Sequence, residues 1–415
     1  MHFTDKHWNL LAGCRFLMCV LLFSSCITFA QEATKSNTSG LQSLNVTNGL
    51  VLLDVASAFY VLVGFSASIF LDHDPKFNRQ VYTGWFVGVL HLWTMVCMGA
   101  IASVFVWPLF TVPRGQQLTN LSNVALTFLE VLCGVRVFET SQDQNAWHTL
   151  NSTSWPIHCL LLPGVWIPGA RKLAIALRQR NMPIALLLPF SVITGIMVSS
   201  TLAVVNSNTN LFYALASSSF YRLLECLAGM HLHIFVRETQ PQSPIMLLSQ
   251  RICFWPVLVF MLLWWVEVGA PWQTDTDVCL RVYYFQHCWQ DAQGGLARGC
   301  ILGMLLAMHL YSTDNAIHKH IVLPREGVLA AALVFAWPIS NISLVSLNGS
   351  LSQNVVFANG PLLAVICTAH SLAMGFVYDV FLSPACISFS LYVFRQCWHK
   401  VSACLPGPMV DSFVL

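Results

Sequence analysis

The sequence predicts an all-α protein, a polytopic transmembrane bundle of about ten spans. Three observations predict it. Of 415 residues, 56% are apolar and 9% are charged, against about 25% charged in a soluble globular chain. Apolar runs of spanning length, roughly 20 residues each, recur along the whole chain, so ten of them leave only short loops. The basic residues collect on one side when those runs are threaded alternately through a bilayer. One membrane domain is therefore expected over 1–394, with a cytoplasmic tail at 395–415.

Residues 8–30 form the first run, with basic residues before it and QEA after it, so it reads either as a cleavable signal peptide or as a retained first span. Runs at 51–71, 81–107, 156–170, 183–205 and 214–236 follow, each bounded by polar, Pro, Gly or Asn punctuation. The last four are 251–270, 296–313, 327–346 and 361–381. Pro108, Pro189, Pro256 and Pro338 lie in or beside these runs, where membrane helices tolerate proline. The stretch 121–138 is short and carries Glu130 and Arg136, and it reads as interfacial or re-entrant.

Lys and Arg in short loops accumulate on the cytoplasmic side. With the N-terminus inside, 13 of the 20 fall in inner loops and 4 in outer loops, while Arg15, Arg222 and Arg298 sit in or at the ends of spans. A span at 121–138 would flip the basic 171–182 loop outward, so the asymmetry supports ten. Asn-x-Ser/Thr triplets at Asn37, Asn45, Asn120, Asn151, Asn341 and Asn348 fall on the opposite side, with Asn341 the one close enough to the bilayer to escape modification. Their one-sidedness suggests a secretory-pathway or plasma membrane, with a cytoplasmic N-terminus if the first run is retained.

The near balance of 20 basic and 18 acidic residues leaves no basic footprint for nucleic acid. The 15 cysteines lie mostly in apolar runs, as packing residues. Cys279 and Cys288 share a polar stretch and would pair if it faces an oxidising lumen. No phosphate-binding glycine loop, nucleophile elbow or zinc spacing occurs. The histidines of HLH at 231–233 and HKH at 318–320 read as solvated or interfacial, because alternate helix positions do not share a face.

Ionisable residues inside a membrane are costly and mark functional candidates. Arg15 lies within the first run; Arg222 and Glu225, three apart on one helix face, can pair. His91, His309, His370 and Asp379 also fall inside runs, where a hydrogen-bonded core role is the ordinary reading for a lone histidine.

Several segments, in order, carry a resemblance. They are WNLLAGCRFLMCVLLFSSCITF around Arg15, AFYVLVGFSASIF at 58–70, NAWHTLNSTSWPIHCLLLPGVWIPG at 145–169 and FYRLLECLAGMHL at 220–232. ANGPLLAVICTAHSLAMGF and SFSLYVF close the series. Together they resemble the integral-membrane acyltransferases of the acyltransferase 3 type, which O-acylate polysaccharides and other hydroxyl acceptors. The closest segment keeps Arg222, Glu225, Gly229 and Met230 in register. The chain departs from that pattern at Cys26, where the family has its first-span histidine, at Val63 before Gly64-Phe65, and at Leu160, where it has a glutamate. Beyond Arg79, Tyr82 and Trp85 replace the family's second Arg and its Pro.

The resemblance implies transfer of an acyl group, expected to be acetyl, from acyl-CoA as co-substrate to a hydroxyl of a carbohydrate or lipid acceptor, with no other cofactor and no metal. That chemistry needs a base, a cation near the oxyanion or the CoA phosphates, and a dry bundle core. Arg15 and Arg79 are the candidate cations, and Cys26 a candidate acyl-accepting thiol. His148, beside Trp147, is a substitute base, and Trp155, Arg222 and Glu225 are candidate substrate-binding residues. Two alternatives stand beside this one. The first is an inactive relative that binds acyl-CoA, lipid or glycan. The second is an unrelated receptor-like or transporter-like protein with a cleaved signal peptide.

Overall fold

The structure of the chain, a computed structural model, describes residues 5–34, 39–72, 79–106, 154–180, 219–238, 289–313, 316–350 and 360–404. Among the described residues every regular element is a helix and none is a strand. In chain order these are α1 (Asp5–Thr34), α2 (Ser39–Asp72), α3 (Arg79–Val106), the single turn α4 (Trp155–His158) and α5 (Leu161–Arg180). There follow α6 (Ser219–Glu238), α7 (Trp289–Ser312), α8 (Glu326–Ser350), α9 (Gly360–Val377) and α10 (Ser383–Cys404). A 3-10 turn at Ile317–Lys319 precedes α8, and a π turn at Tyr378–Leu382 joins α9 to α10.

Lipid offers no hydrogen bonds to a bare backbone, so an apolar run in it has helix as its only solitary solution. Five described stretches are long and apolar enough to cross a membrane: Asp5–Ile27, Tyr82–Ser103, Trp155–Ala176, Glu326–Leu347 and Leu362–Cys397. Val55–Leu71 in α2 and Gly299–Ser312 in α7 are shorter apolar stretches. Their length and composition are those of an integral membrane protein. The expected spans at 183–205 and 251–270, the segment 121–138 and the pair Cys279 and Cys288 lie outside the described residues.

Contacts along the helices fix their relative directions. Ser57 meets Arg222 near one end of α2, and Ser68 meets His233 near the other, so α2 and α6 run parallel. Tyr60 reaches Pro156 and Ser68 reaches Arg171, which makes α4 and α5 parallel to α2 as well. Gly303 lies against Ala58 and Val61 while Tyr311 packs on Phe65, so α7 shares that direction. Opposed to them are α1, where Asn9 meets Thr313 and Gly13 meets Leu310, and α3, where Tyr82 meets Lys172 and Trp85 meets Gly164. Helices α8 and α9 form an antiparallel pair, with Ser343 on His370 and Val328 on Gly375.

Close approach is bought with small residues, as membrane helices require. Gly64 sits on the backbone of Cys226 and Gly229 on that of Val61, bringing α2 and α6 together. Helix α1 is packed into the same core: Leu10, Leu21, Leu22, Cys26 and Phe29 are buried. Its loss after Ala30 would expose the faces of α2, α7, α8 and α9 that it covers.

Two details are sharpened. Asn341 lies inside α8 and is fully buried, its Nδ2 donating to the Trp337 carbonyl at 3.0 Å, so the triplet near the bilayer is a packed helix residue. The last run does not stop near 381. The helix continues through the π turn to Cys404 and takes Arg395 into α10.

Candidate functional site

A fully buried ion pair lies on α6. Arg222 and Glu225 follow one another by less than a helical turn, which puts both side chains on one face. That face meets α2, α4 and α7, so neither group reaches water; both are 0% exposed. Burying a guanidinium is tolerable only with a counter-charge and further partners. Its Nη1 donates to Glu225 Oε2 at 2.6 Å and to Ser57 Oγ at 3.0 Å. The rings of Tyr60 and Trp155 cover the cation, with centroids at 5.0 Å and 5.4 Å, within the range of cation–π attraction. Cys300 Sγ donates to the other carboxylate oxygen at 3.8 Å. Tyr60 is itself fixed by its hydroxyl, which donates to the Pro156 carbonyl at 2.8 Å. Arg222 Nε and Nη2 are buried without a hydrogen-bond partner among the described residues, donors that suit a water or ligand oxygen.

The sequence-expected pair thus forms, and Trp155 joins it. Ser57, Tyr60 and Cys300 were not marked by the sequence. Tyr60 could have been suspected from the aromatic pair in AFYVLVGF, whereas nothing local ties Cys300 to a carboxylate 75 residues earlier.

The other candidates lie apart from this cluster. Arg15 Nη2 pairs with Glu326 Oε2 at 2.7 Å, and its Nε donates to the same oxygen. The two side chains are 20% and 53% exposed. Cys26 stands eleven residues further along α1, about 16 Å by helical rise, buried beside Thr368 and Ser371 of α9. Arg79 is the first residue of α3, its side chain outside the described part. His148 lies outside the described residues. Leu160, at the family's glutamate position, packs against the apolar core.

The histidines of the HLH segment are not solvated. His231 and His233 are 5% and 2% exposed, with His231 Nδ1 on the Leu227 carbonyl at 2.7 Å and His233 Nδ1 on Ser68 Oγ at 2.9 Å. They face different partners, as alternate positions should. A bundle helix packed against several others buries polar faces as well as apolar ones, which the sequence pattern of a lone helix does not reveal. In the HKH segment, His318 docks on α1, its backbone N–H donating to Asn9 Oδ1 at 3.1 Å. Among the described residues no group of three His, Cys, Asp or Glu side chains could hold a metal ion.

The exposure of the Arg15 and Glu326 pair sets an expectation. Arg15→Ala should cost no more than about 1 kcal/mol, read from unfolding of the detergent-solubilised protein. A loss several times larger would mean that the pair is shielded from solvent. No protein-family model, no curated protein and no solved structure matches the chain.

Proposed function

We propose that the protein is a ten-span membrane O-acyltransferase of the acyltransferase 3 kind, moving an acyl group from cytoplasmic acyl-CoA to a carbohydrate or lipid hydroxyl. The observation that carries the reading is convergence. Segments separated in sequence, each resembling that family, meet at one point: Gly64 on Cys226, Val61 on Gly229, and Tyr60 and Trp155 on Arg222. The parallel course of α2, α5, α6 and α7 adds support. It is what single return spans at 183–205 and 251–270 would produce. In this reading the acceptor hydroxyl attacks the thioester carbonyl, a base takes its proton and the CoA thiol leaves; His148 is the candidate base and Arg15 the candidate cation.

A second reading is favoured by particular contacts. Arg15 is committed to Glu326, and Cys26 is buried between α1 and α9. A relative that binds acyl-CoA without turnover would need neither residue free. Purified protein with radiolabelled acetyl-CoA and a mixed glycan and lipid acceptor pool separates the two. The first reading expects label transferred, or thioester slowly hydrolysed, with both abolished in Arg15→Ala and kept in Cys26→Ser. Retained CoA binding with no chemistry would leave the second reading. Neither binding nor chemistry would remove both.

A further inference from the structure

A second polar cluster sits where α3, the start of α8 and the π turn meet, and it takes in two ionisable residues that the Arg222 site does not use, His91 and Asp379. The π turn sets its geometry. The Ser383 N–H donates to the Tyr378 carbonyl across the wide turn, which stacks those two residues, and Asp379 and Ser383, four apart, share a face. Ser383, 8% exposed, places its Oγ 3.4 Å from His91 Nε2 of α3. The Tyr378 ring packs on the same imidazole with centroids 5.9 Å apart, and Phe335 of α8 backs that ring at 5.8 Å. Further along, Cys386 Sγ donates to Met98 Sδ at 3.6 Å and fixes α10 against α3. Asp379 is within electrostatic reach of His91, and its Oδ1 occupies the space that a Cβ on Gly327 would need. That glycine is in the first turn of α8, whose positive end suits a carboxylate. Among the described residues His91 Nδ1 is buried without a hydrogen-bond partner.

Serines of these helices commonly return the hydroxyl to the carbonyl four residues back, as Ser103, Ser371 and Ser388 do. Ser383 turns instead to a ring nitrogen across the helix interface. When Ser383 donates to Nε2, the imidazole proton sits on Nδ1, and a buried N–H without an acceptor is costly. Asp379 is the opposite charge in reach of it, and rotation of its carboxylate away from Gly327 would complete the bond. Such bonds are often long or unformed before substrate arrives. The three roles are then a nucleophile, a base for its proton and a carboxylate that fixes the tautomer of the base, a constellation defined by geometry and not by chain order or fold. Single π turns within α-helices occur frequently at functional sites. Among the described residues Val380 and Phe381 of the same turn are 60% and 72% exposed, an apolar surface along which an acyl chain in the bilayer can reach Ser383.

We propose that Ser383, His91 and Asp379 form a nucleophilic acyl-transfer site acting on an activated acyl carbonyl, either a thioester of coenzyme A or an ester of a membrane lipid. Ser383 Oγ bonds to the carbonyl carbon as its proton passes to His91 Nε2. The donor's C–S or C–O bond then breaks, and the leaving thiol or alcohol takes that proton. The acyl group stays on Ser383 as an ester until water or an acceptor hydroxyl, deprotonated by His91, attacks it and the proton returns to Ser383. Asp379 acts through His91 as a positioning residue. The coenzyme A source rests on the acyl-CoA reading above; the acyl-serine site does not.

The test uses the full chain in nanodiscs, treated separately with a fluorophosphonate, with isotope-labelled palmitoyl-CoA and with phosphatidylcholine labelled in its acyl chains, and read by peptide mass spectrometry. Ser383 should take the phosphonate, and at least one donor should leave on it an acyl group that survives neutral hydroxylamine, which strips thioesters and spares oxygen esters. Phosphonylation should vanish in Ser383→Ala and slow about a hundredfold in His91→Gln, the lower end of what a general base contributes. Asp379→Asn should slow it as well, and Asp379→Glu should recover part of the rate, a rescue that packing alone would not give. Ser383→Cys covers a folding defect in the alanine variant, since it should carry the acyl group as a hydroxylamine-sensitive thioester. Acylation from phosphatidylcholine alone keeps the site with lipid as its donor, whatever Arg15→Ala shows for acyl-CoA. Failure of both donors to acylate Ser383 would overturn the proposal, as would phosphonylation at equal rates in wild type and His91→Gln.

Discussion

Glu225→Ala is expected to destabilise the protein by about 3–5 kcal/mol, the cost of stranding a buried charge. The reason lies in what remains. Arg222 keeps Ser57 and the faces of Tyr60 and Trp155, but it loses its counter-charge in a core where it is 0% exposed. Glu225→Gln keeps the shape and one acceptor for Nη1, and should fall between wild type and Ala. The double variant Arg222→Met with Glu225→Leu removes both charges and should cost less than Glu225→Ala alone, because an apolar pair has no desolvation debt. Denaturation in mixed micelles, monitored by tryptophan fluorescence, reads all three. A loss below about 1 kcal/mol for Glu225→Ala would mean that water reaches the pair. The double variant also separates structure from chemistry, since a folded protein without acyl-CoA binding would give the pair a part in the site beyond packing.

Residues differ in how far the sequence disclosed their surroundings, and the difference is physical. The pairing of Arg222 with Glu225 could be read because the two are three positions apart on one helix, and local geometry alone brings them together. The helical class could be read because bilayer chemistry leaves little alternative. The partner of Arg15 could not. Glu326 lies 311 residues away, at the start of a helix whose position depends on the whole bundle. The buried state of His231 and His233 was hidden for a similar reason. A helix with Arg222, Glu225 and Arg237 on it looks amphipathic, yet α2, α5 and α7 pack around it and turn the faces of Arg222, Glu225, His231 and His233 into internal contacts, leaving Arg237 exposed at its end. The resemblance marked Cys26 as a functional position by its place after Arg15, whereas the fold buries it beside Thr368 and Ser371. Sequence order carries no information about which side of a helix a neighbour will cover.

Gly64→Ala is expected to disrupt the α2–α6 contact, although alanine ordinarily strengthens a helix over glycine by about 1 kcal/mol. A Cβ at Gly64 would land on the Cys226 carbonyl, and one at Gly229 on the Val61 carbonyl. Both obstacles are backbone, which cannot swing aside as a side chain can, so the helices themselves must separate. Overpacking of this kind costs about 1–3 kcal/mol and occasionally more, and here it must first cancel the helical gain. Separation would also withdraw Ser57 and Tyr60 from Arg222, so stability and ligand binding should fall together. Gly88→Ala supplies the control, because among the described residues nothing beyond its own stretch of helix backbone lies within 4 Å of the added carbon, and it should be neutral or slightly stabilising. Melting curves of Gly64→Ala, Gly229→Ala and Gly88→Ala in detergent decide the matter. Equal behaviour of Gly64→Ala and Gly88→Ala would refute the close approach of α2 and α6. A large loss at Gly64 and Gly229 alone would place a backbone-to-backbone helix contact directly beside the buried ion pair, where a shift of either helix moves the partners of Arg222.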